Sequence, residues 1–275
     1  MENNKVSLIC ACRNRVKPLL ISLSSWLLID QIGEIIIVDW SSDESIKNIT
    51  NLDPRIKRVR VNNQEFFNQP QPLNLALKFC TQEFVIKVDS DYVFNPYWNF
   101  FDSYLVDDSS FVCGDSNSNE LDNSVQPYFK YLRGILYVKR KFLEEVGGWN
   151  ENMGEYYGGE DGEIEKRLEL YGLTKKKISL DYKVIHIPHS NKDRLENFKG
   201  YSYSDLNEST KQLLSPYLNG NVLEWNVDYI LTERHINNNI NSFYNSIEHY
   251  YVEPKTKWIV KELDNQNYFA EIVEE

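Results

Sequence analysis

Short apolar runs that end in polar or acidic residues recur in the first third of the chain. The runs are Val6–Cys12, 34–38 and 84–88, and they stop at Arg13, Asp39 and Asp89 respectively. Continuous apolar runs of this length are typical of strands buried on both faces of a parallel sheet. The pattern therefore predicts three central strands, and Ile56–Val61 is predicted to be a further short strand.

Helical patterns lie between these predicted strands. One runs from 17 to about 30, with Pro18 in its first turn, and another runs from 73 to 80. Strand–helix–strand order is typical of the βαβ unit, whose strands are parallel and whose crossover is right-handed. The polar strand ends then share one edge of the sheet, which is where open α/β sheets bind ligands.

The pattern changes after residue 100 and predicts a more mixed sheet. Predicted strands lie at 111–113, 131–138 and 178–187, and predicted helices lie at 141–146 and 160–171. From about residue 200 the chain is polar and rich in Asn and Tyr, with helical patterns at 205–214 and 240–250. We therefore predict an α/β domain over residues 1–198 and a mostly helical C-terminal extension over 199–275.

Charge narrows the classes of ligand that the chain can bind. It has 30 basic and 41 acidic side chains, a formal net charge of −11 and a pI near 5.0. This balance argues against general binding to nucleic acids or to anionic membrane surfaces, which need a basic face. An anionic ligand would need a local cation, because the bulk protein does not supply one.

Cysteine usage and the absence of export signals predict a soluble cytoplasmic protein. The four cysteines form no CxxC pair and none lies close to a histidine, so buried thiols are expected rather than zinc ligands. The N-terminal segment does not have the form of a signal peptide, and no apolar stretch is long enough for a transmembrane helix.

The segment Asp89-Ser90-Asp91 is the first candidate site. Two carboxylates one residue apart at a strand end can both reach one divalent cation, and oxygen ligands suit Mg²⁺ or Mn²⁺. The same three residues also occur by chance in surface turns. His186 and His189, close to the end of the predicted 178–187 strand, are candidate further ligands, and a histidine would favour Mn²⁺.

Two further acidic positions are candidates for ligand binding or catalysis. Asp39 ends a strand at a position where nucleotide-binding folds place an acid, or else it caps the following segment. Glu160 and Asp161 follow two glycines at the start of a predicted helix, whose dipole stabilises an ionised carboxylate. Asp161 is therefore either a general base or an ordinary N-terminal helix acid.

The order of these motifs resembles the GT-A fold of nucleotide-sugar glycosyltransferases. It is most similar to family 2 glycosyltransferases, including chondroitin-polymerase-type domains, and to β-1,4-galactosyltransferases. The resemblance covers about residues 5–195. The motifs that carry it are Asn14-Arg15, Ile37-Val38-Asp39, Asn74-Leu75-Ala76, Asp89-Ser90-Asp91, Gly147-Gly148-Trp149-Asn150-Glu151, Gly159-Glu160-Asp161 and a histidine after a strand.

This resemblance implies a Rossmann-like nucleotide-binding sheet continued by a mixed acceptor-side sheet. It implies an inverting transfer from a UDP-sugar in polysaccharide biosynthesis, with Asp161 as the base, Glu160 positioning the acceptor and Mn²⁺ or Mg²⁺ at the diphosphate. Asp39 would contact the uracil, and Asp91 and Asp89 would bind the metal together with His186 or His189. The predicted donor contacts are Asp39, Arg15, Asn14, Asn74, Asp89, Ser90 and Arg133, although Arg133 equally suits a surface ion pair.

Two rival functions share part of this pattern. A sugar-nucleotide pyrophosphorylase would have the same sheet topology, but it needs a glycine-rich loop after the first strand, and residues 11–15 contain no glycine. A non-catalytic carbohydrate-binding or nucleotide-sugar-binding module would not need Asp89, Asp91, Asp161 and a histidine together. The donor sugar remains open among galactose, glucose and their N-acetyl forms, and the acceptor, linkage and oligomeric state remain open as well.

Overall fold

The fold is an α/β sandwich built on one large sheet. The computed structural model describes residues 5–95, 100–114, 132, 134–153, 159–178, 184–187, 197–198 and 247–273. The sheet has nine strands in the order β10-β11-β3-β2-β1-β4-β7-β6-β8, and a small second sheet pairs β5 with β9.

The strands are β1 (Val6–Cys12), β2 (Ile32–Trp40), β3 (Ile56–Val61), β4 (Phe84–Lys87), β5 (Tyr92–Phe94), β6 (Ser110–Cys113), β7 (Leu136–Lys139), β8 (Thr174–Lys177), β9 (Val184–His186), β10 (Trp258–Asp264) and β11 (Asn267–Ile272). The helices are α1 (Val16–Trp26), α2 (Pro70–Lys78), α3 (Phe100–Ser103), α4 (Arg140–Glu145) and α5 (Glu160–Tyr171). Short 3₁₀ helices lie at Lys47–Asn51 and Glu151–Met153. No helix in these described stretches is long and apolar enough to cross a membrane.

The central strands are parallel, as the apolar runs predict. Strand β1 pairs with β2 on one side and β4 on the other, and β3 continues the parallel set next to β2. Both faces are covered, because α1 packs over one apolar layer and α2, α4 and α5 pack over the other. The polar ends of β1, β2 and β4 consequently meet at one edge of the sheet.

Beyond β4 the sheet is mixed, which confirms the predicted change of pattern. Strand β7 runs antiparallel to β4 and β6, whereas β8 runs parallel to β6. The single strand predicted for 178–187 is wrong at its first residue, because β8 ends at Lys177 and Ile178 is not in a strand; Val184–His186 form β9, and residues 179–183 lie outside the described residues. Strand β9 leaves the large sheet and pairs antiparallel with β5, immediately after Asp91.

The C-terminal residues complete the opposite edge of the large sheet. Strands β10 and β11 form an antiparallel hairpin, and β11 runs parallel to β3. Asn265 and Gln266 at the turn both have positive φ, 41° and 61°, as tight hairpin turns require. The predicted helical character is therefore wrong for 258–272. Residues 247–250 are not helical either, while the predicted helix at 205–214 lies outside the described residues.

Arg167 in α5 anchors the Gly147-Gly148-Trp149 loop. Its fully buried guanidinium forms a two-point ion pair with Glu163 and donates to the carbonyl oxygens of Val146 and Gly148, both at 2.6 Å. Gly147 and Gly148 have φ of 80° and 70°, and a Cβ atom on Gly148 would lie 2.3 Å from the Asn74 Oδ1 atom. The loop is thus held between α2 and α5 by buried polar contacts.

We expect Arg167→Met to lower the free energy of unfolding by about 3–5 kcal/mol, because it leaves the buried Glu163 carboxylate without its cation. Urea denaturation followed by circular dichroism measures this change. The control is Lys47→Ala, which removes an exposed ion pair with Asp264 and should cost about 0.5 kcal/mol or less. Equal losses for both variants would contradict the anchoring role of Arg167.

Candidate active site

Acidic side chains converge at the polar edge of the central strands. Strand β2 delivers Asp39, which stands next to Cys12 of β1 in the sheet register. Strand β4 delivers Asp89 and Asp91 in the segment that follows Lys87, and the start of α5 brings Asp161 to the same place. The predicted meeting of these carboxylates at one edge is observed.

Asp91 lies between two groups from different parts of the chain. Its Oδ2 atom is 2.6 Å from the Arg15 Nη2 atom and 3.6 Å from the His186 Nε2 atom. The β5–β9 pairing fixes this arrangement, because His186 is the register partner of Tyr92 and the Ile187 amide donates to the Asp91 carbonyl. His186 and Asp91 are both buried. The predicted proximity of Arg15, Asp91 and His186 is therefore present in the fold.

The donor atoms near Asp91 suit a divalent cation in part. A carboxylate and an imidazole that converge on one point match the ligand chemistry of Mn²⁺. Within the described ranges, however, no group of three or more His, Cys, Asp or Glu side chains is arranged around a common metal position. His189 and Arg133 lie outside the described residues, so the choice between His186 and His189 stays open.

Lys87 links Asp89, which follows β4, with Asp161 at the start of α5. This side chain is 1% exposed, and its Nζ atom lies 2.9 Å from the Asp89 Oδ1 atom and 2.8 Å from the Asp161 Oδ1 atom. Burial alone would lower the pKa of Lys87, but the charges of Asp161 and Asp89 raise it above the ordinary value. One ammonium group therefore pairs with both carboxylates at the centre of the site.

Asp161 and Glu160 occupy the first turn of α5, as the sequence predicts. Gly159 precedes them with φ of 97°, a backbone conformation that glycine adopts without strain. Glu160 is buried, and burial followed by the neighbouring Asp161 charge raises its pKa to about 8. Asp161 keeps 19% of its side chain exposed, so it can meet a substrate while Glu160 lies beneath the surface.

Gly134 makes room for Asp89. A Cβ atom at this position would lie 2.0 Å from the Asp89 Oδ2 atom, so a side chain here would displace the carboxylate. The Gly134 amide donates to the Tyr92 hydroxyl at 3.3 Å, which holds the glycine beside Asp89-Ser90-Asp91, the DxD segment. The close approach of backbone and carboxylate requires a glycine at this point.

Asp39 is engaged by two arginines of β3. Its side chain is fully buried, its Oδ2 atom accepts from Arg58 at 2.6 Å, and its Oδ1 atom accepts from Arg60 at 2.9 Å. The Ser42 amide also donates to Oδ1, which is the local capping that the sequence left as the alternative reading. The predicted contact with uracil stays a prediction, and a base would meet Asp39 already paired with two cations.

Three other predicted donor contacts differ in their surroundings. Asn14, at φ of 52°, accepts from the Asp43 amide and donates to Asn197, so it joins the loops after β1 and β2. Ser90 is buried within the DxD segment. Asn74 bonds both the amide and the carbonyl of Trp149 and is not gathered with the DxD residues. Donor contacts from these three side chains stay predictions.

Sequence reasoning missed Lys87, Arg58 and Arg60 as residues of the site. Lys87 sits in an apolar run and was read as part of a strand, and Arg58 and Arg60 alternate with apolar residues as a solvent-facing edge would. One signal was available, because a lysine in a strand buried on both faces needs an anionic partner.

Comparison with known proteins finds two partial family matches. Residues 7–140 match the family described as Glycosyl transferase family 2, and residues 118–190 match the family described as N-terminal domain of galactosyltransferase. No curated protein matches the chain. The two family matches overlap at residues 118–140 and together span residues 7–190.

Solved structures share the fold at low sequence identity. Residues 1–349 of S. aureus TarS in complex with UDP-GlcNAc have 18% identity and a TM-score of 0.54, covering 88% of this chain and 73% of that one. The longer structure of S. aureus TarS gives a TM-score of 0.53 and 18% identity, covering 88% of this chain and 44% of that one. The mannosyltransferase PcManGT from Pyrobaculum calidifontis, in complex with GDP-Man and Mn²⁺, has 18% identity and a TM-score of 0.49, covering 63% of this chain. This chain spans 54% of the length of that mannosyltransferase.

The sheet topology and the two partial family matches are similar to those of glycosyltransferases with the GT-A fold. Within that class, residues 7–140 resemble family 2 glycosyltransferases and residues 118–190 resemble galactosyltransferases.

We expect Glu160→Gln to change how stability depends on pH. A carboxyl whose pKa is raised in the folded state contributes stability at low pH that is lost as pH rises towards 8. Glu160→Gln has no ionisable group at this position, so its stability does not show this loss with rising pH. Its free energy of unfolding relative to wild type should therefore increase from pH 5 to pH 8 by at least about 1.4 kcal/mol, the value of one pKa unit. Urea unfolding in metal-free buffer at both pH values measures this, with an unchanged m value as the control. A constant difference would contradict the raised pKa.

Proposed function

We propose that the protein transfers a sugar from a UDP-sugar to a hydroxyl of a glycan or another acceptor, with inversion at the anomeric carbon and with a divalent cation. The observation that carries this proposal is the convergence of Asp161 with Asp89 on the Lys87 ammonium. This contact brings a partly exposed carboxylate at a helix start beside the paired carboxylates of a strand end.

Asp161 has the position and surroundings that a general base needs. It lies in the first turn of α5, where the helix dipole stabilises its ionised form, and Lys87 holds its Oδ1 atom. In the proposed reaction Asp161 takes the proton of the acceptor hydroxyl as that oxygen attacks the anomeric carbon. The bond from that carbon to the donor diphosphate breaks on the opposite face, in one displacement.

Asp91, Asp89 and His186 would hold the cation, which would neutralise charge on the departing diphosphate. The 3.6 Å separation of the Asp91 and His186 donor atoms supports this assignment. Arg15 is placed to contact the diphosphate as well, because its guanidinium already lies against Asp91. The UDP-GlcNAc complex of TarS, a protein with the same fold, makes UDP the first nucleotide to test.

We expect the wild-type protein to bind UDP more tightly with Mn²⁺ than without it, as measured by isothermal titration calorimetry. Asp91→Ala should remove this metal-dependent gain, because it deletes the carboxylate that faces His186. Asp264→Ala, at an exposed carboxylate of the far sheet edge, is the matched control and should bind as wild type. If wild-type binding is absent or indifferent to metal, the metal-dependent transferase proposal fails and a binding module becomes the better reading.

We expect Asp161→Asn to lower kcat for sugar transfer by about 10³-fold while UDP affinity stays within about threefold of wild type. The amide keeps the size of the side chain but cannot accept the proton of the acceptor. Glu169→Gln, on the exposed part of the same helix, is the control and should keep full turnover. Full turnover in Asp161→Asn would exclude Asp161 as the base.

A further inference from the structure

The contact between Lys87 and Asp161 joins two parts of the chain that are far apart in sequence. Lys87 is the last residue of β4 and stands between Ile9 of β1 and Leu136 of β7 in the sheet register. Its side chain therefore starts from the apolar layer on which α5 packs and reaches up to the rim of the site. The ammonium then meets Asp161 on α5 and Asp89 after β4.

Burying the Lys87 ammonium at this place in the sheet is energetically unfavourable. The neighbouring β4 positions are apolar, and an isolated buried charge loses hydration that only close partners can replace. Replacing such a charge by an apolar side chain is often neutral or stabilising when its partners are replaced as well. The stability of the sheet alone therefore does not require a lysine at this position. Two carboxylates held close together, Asp89 and Asp161, do require a cation between them.

The two oxygen atoms of the Asp161 carboxylate differ in their contacts: Oδ1 is hydrogen-bonded to Lys87 and Oδ2 is not. Lys87 binds the Oδ1 atom at 2.8 Å, and the Oδ2 atom accepts no hydrogen bond from the other residues that the structure describes. A carboxylate held at one oxygen presents the other in a fixed direction. This is what proton transfer to a general base needs, because a displacement of 1 Å can cost about 10²-fold in rate.

We propose that Lys87 is a positioning residue for sugar transfer: it holds Asp161 in the orientation of a base and ties it to the donor side of the site through Asp89. This inference rests on the proposed function. Lys87 acts through Asp161 and does not touch the acceptor or the sugar. When a cation and a diphosphate occupy the donor side, Asp89 gains other partners and the Lys87–Asp161 contact remains.

A role confined to the fold would have different consequences. Loss of a purely structural lysine would disturb the DxD segment, so donor binding and turnover would fall together. Loss of a positioning lysine should lower kcat while donor affinity is kept, because Asp89 is then freer to meet the cation. The two roles are therefore separated by measuring donor binding and turnover on the same variants.

The experiment compares wild type with Lys87→Met, Lys87→Arg, Asp161→Asn and the double variant Lys87→Met/Asp161→Asn. Transfer from the best UDP-sugar is measured as kcat and KM, and UDP binding with Mn²⁺ is measured by calorimetry. We expect Lys87→Met to lower kcat at least 100-fold with a UDP dissociation constant within threefold of wild type. Lys87→Arg keeps the positive charge, so its kcat should be at least tenfold higher than that of Lys87→Met.

The double variant decides whether Lys87 acts through Asp161. Adding Lys87→Met to Asp161→Asn should change the residual kcat by less than threefold, since the base it positions is already absent. The double variant removes one charge of each sign, so we expect it to be more stable than Lys87→Met. If Lys87→Met does not fold, Lys87→Gln takes its place in the comparison. If Lys87→Met lowers kcat as much in the Asp161→Asn background as it does in the wild-type background, the inference is overturned.

Two failures remain distinguishable. If wild type transfers sugar and Lys87→Met keeps kcat within threefold of it, the positioning role is wrong and the proposed function stands. The positioning role is also wrong if UDP affinity falls as far as kcat does. If wild type transfers sugar from none of the UDP-sugars tested, the proposed function fails and the Lys87 inference fails with it.

Discussion

The concentration of negative charge at one edge of the sheet is the constraint on which this site depends. Strand ends and a helix start bring several carboxylates together, Asp39 and Asp91 buried and Asp89 and Asp161 partly exposed, and ionised groups that lose hydration need partners. Each carboxylate has a cationic partner: Asp89 and Asp161 share Lys87, Asp91 pairs with Arg15, and Asp39 pairs with the two β3 arginines. The site is therefore a network of ion pairs before any ligand is bound.

This network changes what the net charge of −11 says about metal binding. The sequence predicts a divalent cation because an anionic diphosphate could not bind beside the clustered carboxylates without one. In the folded chain they are compensated, so a metal that binds Asp91 must compete with Arg15, 2.6 Å away. A diphosphate would offer the displaced guanidinium a new anionic partner, and bidentate contacts of Arg with phosphate are strong. Metal and nucleotide should therefore bind together more favourably than either binds alone.

The sequence predicted those features that depend on short-range patterns. The apolar runs gave β1, β2, β3 and β4, and the glycine-flanked acidic turn gave the bounds of α5. It failed where tertiary pairing decides the outcome. The β10–β11 hairpin has a mixed polar pattern, because β10 is an exposed edge strand and has no buried face that would impose an alternation. Lys87, Arg58 and Arg60 were missed for the same reason, since only the fold shows which carboxylates they meet.

The position of Asp161 follows from buried ion pairs more than from apolar packing. Helix α5 buries Ile164 and Leu168 against the sheet, but it also buries Glu163 and Arg167. Arg167 ties its middle to the Gly147-Gly148-Trp149 loop, and Lys87 ties its first turn to the end of β4. Apolar contacts tolerate small sliding motions, whereas hydrogen-bonded ion pairs fix distance and direction at both points. A helix that carries the proposed general base needs this second kind of restraint, because proton transfer depends on the direction of one oxygen atom.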